Sequence, residues 1–113
     1  MVSYPLTPEV MTLVAARFKV LGEPVRLQLL HVLQQGEQSV TDLANVLKTS
    51  QPNVSKHLKL LQESGFVARR QEGNSVFYSI ADSSVYQLCD LVCSSLRERL
   101  EGQSAMLRPR RRK

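Results

Sequence analysis

The hydrophobic residues of this chain recur at intervals of three and four positions, the periodicity of amphipathic helices. Thr7 and Pro8 predict the start of a first helix, because a hydroxyl cap followed by proline favours helix initiation, and Gly22 predicts its end. Pro24 opens a second helix, which Gly36 ends. The apolar faces of the two helices contain Val10, Met11, Val14, Phe18 and Leu21, and then Leu27, Leu30 and Leu33.

Two shorter helices with a tight turn between them are predicted next. Thr41 is expected to cap the third helix, whose inward residues are Leu43, Ala44 and Leu47. Ser50 is expected to cap the fourth, which runs from Gln51 to about Ser64. Val54, Leu58 and Leu61 form the buried stripe of the fourth helix. Its opposite face is polar and carries Gln51, Asn53, Ser55, Lys56 and Lys59.

A hairpin and a last helix complete the predicted fold. Residues 66–71 and 76–81 are rich in β-branched and aromatic residues, and residues 72–75 between them have turn chemistry. Asp82 or Ser83 is expected to cap a helix that reaches about Glu101. The predicted architecture is therefore mainly α with a small β-hairpin, a winged helix-turn-helix. We expect an N-terminal extension over 1–7, one folded domain over 8–102 and a basic disordered tail over 103–113.

A polar helix followed directly by a basic hairpin is the arrangement with which small proteins read DNA. The major groove admits a helix and presents a distinct donor and acceptor pattern for each base pair. Asn and Gln side chains suit the adenine edge, and Arg or Lys side chains suit phosphates. For His57, a phosphate contact and simple packing are equally compatible with the pattern. The predicted DNA-contacting residues are Ser50, Gln51, Asn53, Ser55, Lys56, His57, Lys59, Arg69, Arg70 and Asn74.

Charge and composition limit the classes of protein to which this chain can belong. The net charge of +5 lies in the tail, since five of the last six residues are basic and the other ten basic residues balance ten acidic ones. Such a tail adds salt-sensitive attraction to phosphates without reading sequence. No run approaches the ~20 apolar residues of a membrane span and no secretory signal is recognisable, so a cytoplasmic protein with no membrane partner is expected. Nucleophile-elbow, phosphate-loop and histidine–acid motifs are missing, which argues against an enzyme.

Three segments taken in order closely resemble the ArsR/SmtB family of bacterial winged-helix repressors. They are LGEPVRL (21–27), SQPNVSKHLKLLQESGFV (50–67) and FYSI (77–80), and the likeness covers roughly residues 8–101. The resemblance implies a homodimer formed by the first and last helices, which represses transcription at double-stranded operator DNA until an inducer releases it. A twofold dimer reads half-sites about one helical turn (~34 Å) apart, so the operator is expected to be roughly palindromic.

The metal sites of that family lack their ligands here. Ser39 and Thr41 occupy the positions of a Cys-x-Cys pair, and hydroxyls do not replace soft thiolates. The second site, an Asp-x-His and His-x-x-Glu set in the last helix, corresponds to Asp82, Ser84, Ser95 and Glu98. Both histidines are absent from that set, and two carboxylates alone hold zinc poorly.

Cys89 and Cys93 are the remaining candidates for a sensor. Their spacing of four places both sulfurs on one helix face, where they could chelate As(III) or another thiophilic ion with a third thiolate from a partner chain. The same pair would also serve a redox- or reactive-sulfur-responsive repressor. Free cysteine equally packs as a small hydrophobe, and the sequence leaves these alternatives open. A winged helix that binds only proteins is a further alternative, but it would carry acidic or apolar residues on the outer face of the fourth helix.

Overall fold

The computed structural model describes residues 4–107 of the chain, which forms two compact units that divide after Asp82. The first unit contains four helices and three short strands, and the second contains one helix. In chain order the elements are α1 (Pro8–Leu21), α2 (Pro24–Leu33), β1 (Gln38–Ser39), α3 (Val40–Leu47), α4 (Gln51–Glu63), β2 (Val67–Glu72), β3 (Ser75–Ile80) and α5 (Ser84–Leu107).

Side-chain caps define where the helices begin. The Thr7 hydroxyl accepts from the Val10 N–H at the start of α1, and the Ser50 hydroxyl accepts from the Asn53 N–H at the start of α4, as predicted. The cap of α3 is Ser39, which accepts from the Asp42 N–H. The prediction of Thr41 was wrong because the helix already begins at Val40, which places Thr41 inside the first turn.

The predicted hairpin is confirmed, and a third strand joins it. β2 and β3 pair antiparallel through a two-residue turn in which Gly73 has a φ of 61°, a conformation that glycine adopts without strain. β1 pairs with the other edge of β3, so the strand order is β1-β3-β2. A strand of two residues is too short to show alternation in the sequence, which is why it was not predicted.

The core of the first unit contains most of the residues predicted for it. Leu27 is an exception, because it is 40% exposed, whereas Leu29 is fully buried. The inward face of α2 is therefore centred on Leu29, Leu30 and Leu33. Leu47 is only half-buried. The other buried apolar residues of the unit are Leu21, Leu43, Ala44, Val54, Leu58, Leu61, Phe66, Val67 and Tyr78.

The apolar face of α1 differs from this core because it is largely exposed. Leu21 is buried, but Met11, Val14 and Phe18 are exposed, Phe18 at 54%. The periodicity identified the helix correctly, yet this face is not interior in a single chain. An exposed apolar face on a helix is typical of a surface that another molecule covers.

The helix of the second unit is longer than predicted. α5 continues past Gly102 to Leu107, so the predicted helix end near Glu101 was wrong. Glycine weakens a helix interior by about 1 kcal/mol but does not by itself end it. The predicted tail residues 108–113 lie outside the described part of the chain. Within residues 4–107, no helix is long and apolar enough to cross a membrane.

Candidate nucleic-acid interface

The helix α4 has one buried and one exposed face. Val54, Leu58 and Leu61 are fully buried. Residues four apart on a helix are neighbours on one face, so Gln51, Ser55 and Lys59 form an exposed row on the other side. This row contains amide, hydroxyl and ammonium groups, and these are the groups that bind base edges and phosphates.

This row lines a groove of about 770 Å³ between α4 and the hairpin, which we call the α4–wing groove. Arg69 and Asn74 of the hairpin line it from the other side, and Asp42 lies at the start of α3. Five of the predicted contact residues are thus brought to one concave surface: Gln51, Ser55, Lys59, Arg69 and Asn74. Among the described residues, no carboxylate forms an ion pair with Lys59 or Arg69.

The two arginines of β2 have different environments. Successive residues of a strand point to opposite faces. Arg69 lines the groove, where it donates to the Gln71 side chain at 3.3 Å. Arg70 instead holds Glu37 through two hydrogen bonds of 2.8 and 3.0 Å and donates to Glu72 at 3.2 Å. Its guanidinium also lies 4.7 Å from the ring centroid of Phe77.

These contacts make Arg70 an anchor of the hairpin. They argue against its predicted phosphate contact, which stays a prediction. The hydrogen bond from Arg70 lowers the pKa of Glu37, and the bonds to Glu37 and Glu72 raise the pKa of Arg70. The two carboxylates more than neutralise the guanidinium. An arginine held in this way by two acids is poorly placed to attract DNA.

Two other predicted contacts have structural partners, and a third lies outside the groove. The Ser50 hydroxyl caps α4. Asn53 is half-buried, and its side-chain amide donates to the Thr49 hydroxyl at 3.1 Å, so it stabilises the turn between α3 and α4. Lys56 is exposed but does not line the α4–wing groove.

His57 has the burial expected for packing, the alternative to a phosphate contact that the sequence left open. It is only 8% exposed, and its Nδ1 lies 3.0 Å from Nη1 of Arg26. Burial lowers the pKa of His57, Arg26 and Lys56 lower it further, and Glu23 opposes them. The side chain is therefore a buried, neutral imidazole behind the exposed face of α4.

Two arginines that sequence reasoning did not assign to the site support α4 from behind. Arg26 donates to the carbonyl oxygens of Val20 and Lys19 and to His57. Arg17 donates to the Ser64 carbonyl at 2.6 Å and to Asp82 at 3.3 Å. A basic residue within an apolar helix such as α2 is a signal for such a contact, but it does not reveal the partner.

The predicted sensor residues both lie on α5. Cys89 is half-buried and Cys93 is exposed, and neither forms a disulfide. Burial raises the pKa of Cys89, and Cys93 and Asp90 raise it further, so Cys89 favours the thiol over the reactive thiolate. Across the described residues of one chain, no three His, Cys, Asp or Glu side chains are grouped to hold a metal ion.

Known proteins of one family resemble the chain in both sequence and structure. A family model described as bacterial regulatory protein, arsR family, matches residues 23–69. A transcriptional repressor SmtB homolog from Synechocystis sp. is 38% identical over 96 residues, which are 80% of this chain and 73% of the relative. A cadmium resistance transcriptional regulatory protein CadC homolog from Staphylococcus aureus is 40% identical over 68% of this chain, but this match spans just under two thirds (64%) of the relative.

A solved structure gives the same result for the fold. The solution structure of Mb0332 from Mycobacterium bovis is described as a homodimeric winged helix-turn-helix DNA-binding domain of a possible ArsR-family regulator. It superposes with a TM-score of 0.74 at 32% identity, and covers 90% of this chain and 95% of that one. The chain therefore belongs to the ArsR/SmtB family of winged helix-turn-helix transcriptional regulators, which bind DNA and are not enzymes.

Proposed function

We propose that this protein is a homodimeric repressor that binds a specific operator with the exposed face of α4 and with the hairpin. The α4–wing groove is the observation that carries the proposal, because it brings together polar and basic residues from two elements. The name of the SmtB homolog as a transcriptional repressor supports the direction of regulation.

The residues of the groove divide into two roles. Gln51 and Ser55 lie at the start of α4, and the N-terminal part of a recognition helix is the part that reaches base edges. Glutamine can bond the adenine edge through two hydrogen bonds. Lys59 and Arg69 contact phosphates on either side, and Asn74 at the hairpin tip reaches the adjacent groove.

A second copy of the chain covers the exposed apolar faces of α1 and of α5. On α1 this face includes Met11 and Phe18, and on α5 it includes Val92, Leu96 and Leu100. The Mb0332 domain is described as homodimeric, which supports the same assembly here. A twofold dimer presents two α4 helices, so the operator contains two inverted half-sites.

Selection of binding sites from a library of random DNA duplexes tests this function. We expect an enriched inverted repeat whose half-site centres are about 10 base pairs apart, bound by two protein chains. Enrichment should disappear when Gln51, Ser55 and Lys59 are replaced by alanine together. Replacement of Gln28, an exposed residue of α2 outside the groove, should leave it unchanged. Failure of the native protein to enrich any sequence would contradict the proposal.

We infer that an inducer of this repressor acts through the thiols of α5, with the exposed Cys93 reacting first. As(III) and other thiophilic ions would need a third thiolate from the partner chain. Peroxide and persulfide need only one accessible thiol, so the structure accommodates a redox or sulfur signal as well. The name of the CadC homolog, a cadmium resistance regulator, supports testing soft metals first.

Titration of the protein–operator complex separates these inducers. Arsenite, Cd(II), Zn(II), peroxide and persulfide are each added to the native protein and to a variant with Cys89→Ser and Cys93→Ser. We expect at least one reagent to release DNA from the native protein but not from the variant. If none does so, the cysteines serve only in packing.

A further inference from the structure

Arg26 joins three parts of the first unit behind the exposed face of α4. Its Nε donates to the Val20 carbonyl and its Nη2 to the Lys19 carbonyl, both at the carboxyl end of α1. Its Nη1 lies 3.0 Å from Nδ1 of His57 in α4. One side chain of α2 therefore connects the end of α1 to the middle of α4.

The chemistry of this contact fixes the protonation state of His57. A guanidinium can only donate hydrogen bonds, so Nδ1 of His57 must accept and the ring must carry its proton on Nε2. Protonation of Nδ1 would convert the hydrogen bond into a repulsion between two cations 3.0 Å apart. The contact exists only while the imidazole is neutral.

His57 lies on α4 between residues that line the α4–wing groove, so its contact with Arg26 bears on the position of that helix. Ser55 and Lys59 flank His57 on α4, and both line the α4–wing groove. Because a helix moves as a unit, displacement of His57 would rotate or shift this row. Apolar packing by Val54 and Leu58 holds α4 against the core without a directional bond, and the Arg26–His57 hydrogen bond supplies one.

We propose that the Arg26–His57 hydrogen bond is a positioning contact that holds α4 in the orientation needed for specific DNA recognition, and that acid breaks it. The proposal rests on the function proposed above, because it assumes that α4 reads DNA. Arg26 and His57 touch no base in this account and act through Ser55, Lys59 and Gln51.

The charged groups that act on the ring determine the direction of the effect. Glu23 at the start of α2 favours the imidazolium, whereas Arg26 on the same helix and Lys56 on α4 disfavour it. Burial dominates, and the pKa of His57 lies below its usual value of 6.5. The contact is therefore intact near pH 7.5 and is lost as the pH falls below 6.5. A histidine that bound phosphate directly would show the opposite trend, because protonation would strengthen its binding.

The test measures the affinity for a selected duplex and for a random duplex between pH 7.5 and 5.5, where histidine is the side chain whose ordinary pKa lies in range. The chain has two histidines, so His31→Asn leaves His57 as the one that titrates, and His31 itself is exposed. His57→Asn places an amide oxygen close to the position of Nδ1 and removes the titration. Circular dichroism at each pH reports whether the protein remains folded.

We expect the native protein and His31→Asn to lose affinity for the selected duplex by pH 5.5, by no more than about tenfold, because one proton is linked and the pKa of His57 lies below 6.5. Affinity for random DNA should stay constant or rise, and His57→Asn should bind the selected duplex equally at both pH values. The proposal is overturned if specific affinity in His31→Asn is flat or rises in acid, if His57→Asn keeps the native pH profile, or if the loss follows unfolding. Failure to select any duplex at pH 7.5 would instead refute the proposed function.

Discussion

The helices α4 and α5 use their apolar residues in different ways. The apolar residues of α4 are fully buried in its own unit, and this leaves a polar row exposed. In α5, Val85 is buried, whereas every residue from Leu91 to Leu100 is exposed. Both helices show the same three-and-four periodicity in the sequence.

The difference teaches that hydrophobic periodicity identifies a face that must be covered, but not what covers it. In α4 the cover comes from the same chain, so the helix is in place and its other face is free to bind DNA. For α5 and α1 we propose that a second copy of the chain supplies the cover. Four pairs of variants test which contacts hold these elements in place.

The largest effect is expected from a charge on the exposed face of α5. Leu96 is 52% exposed in the single chain, and Leu96→Glu should weaken dimerisation roughly 100-fold or more. Each chain would lose about 1.5–3 kcal/mol of apolar burial and would bury a charge. Ser94→Glu, on the same helix but off the apolar stripe, is the control. Sedimentation analysis measures both, and equal dissociation of the two variants would exclude this face as the interface.

A smaller but still large effect, on the free energy of unfolding, is expected from a substitution in the buried face of α4. Leu58→Ala should lower the free energy of unfolding by about 2–5 kcal/mol, because it leaves a cavity in a fully buried site. Leu60→Ala is the matched control, since Leu60 is 38% exposed and its loss should cost less than about 1 kcal/mol. Urea denaturation measures both changes. Similar values would show that α4 is not held by this stripe.

A moderate effect is expected on the salt dependence of DNA binding, and it should differ between the two arginines of the hairpin. Arg69→Ala should weaken binding to all duplexes and reduce the slope of log affinity against log salt by about one, because one phosphate contact is lost. Arg70→Ala should leave the slope unchanged, since its charge is already paired with Glu37 and Glu72. Fluorescence anisotropy at several salt concentrations measures the slope. A larger change of slope for Arg70→Ala would reverse the assignment.

The smallest effect concerns the turn that leads into α4. Lys48 has a φ of 56°, a left-handed conformation that strains any residue with a Cβ atom. Lys48→Gly should therefore raise the free energy of unfolding by about 1 kcal/mol or less, whereas Lys48→Ala keeps the strain and should bring no gain. Thermal denaturation distinguishes the two, and an equal response would show that backbone strain is not the cause.

Much of the fold could be predicted because local signals determine it. Thr7 with Pro8, and Ser50 with the apolar residues of α4, fix two helix starts, and Gly73 permits the hairpin turn. The sequence could not show that Leu29 is buried instead of Leu27, since both positions fit a helical face. The end of α5 was also wrong, because glycine is a weak stop signal within a helix.

The candidate site was harder to predict residue by residue. Arg69 and Arg70 are adjacent and chemically identical, and only the pairing of the strands shows which one meets Glu37. His57 lies on α4 next to exposed residues, and its partner Arg26 is 31 positions away in the chain. Contacts between residues far apart in sequence decide these roles, and a single sequence does not reveal which residues are partners.

The ratio of affinities for the selected duplex and a scrambled duplex shows whether the exposed face of α4 reads base sequence. We expect Gln51→Ala to lower this ratio about fivefold or more, the loss of ~1–3 kcal/mol of base discrimination, and to leave binding to scrambled DNA unchanged. Gln28→Ala should keep the native ratio. If Gln51→Ala weakens both duplexes equally, or neither, the exposed face of α4 does not read base sequence.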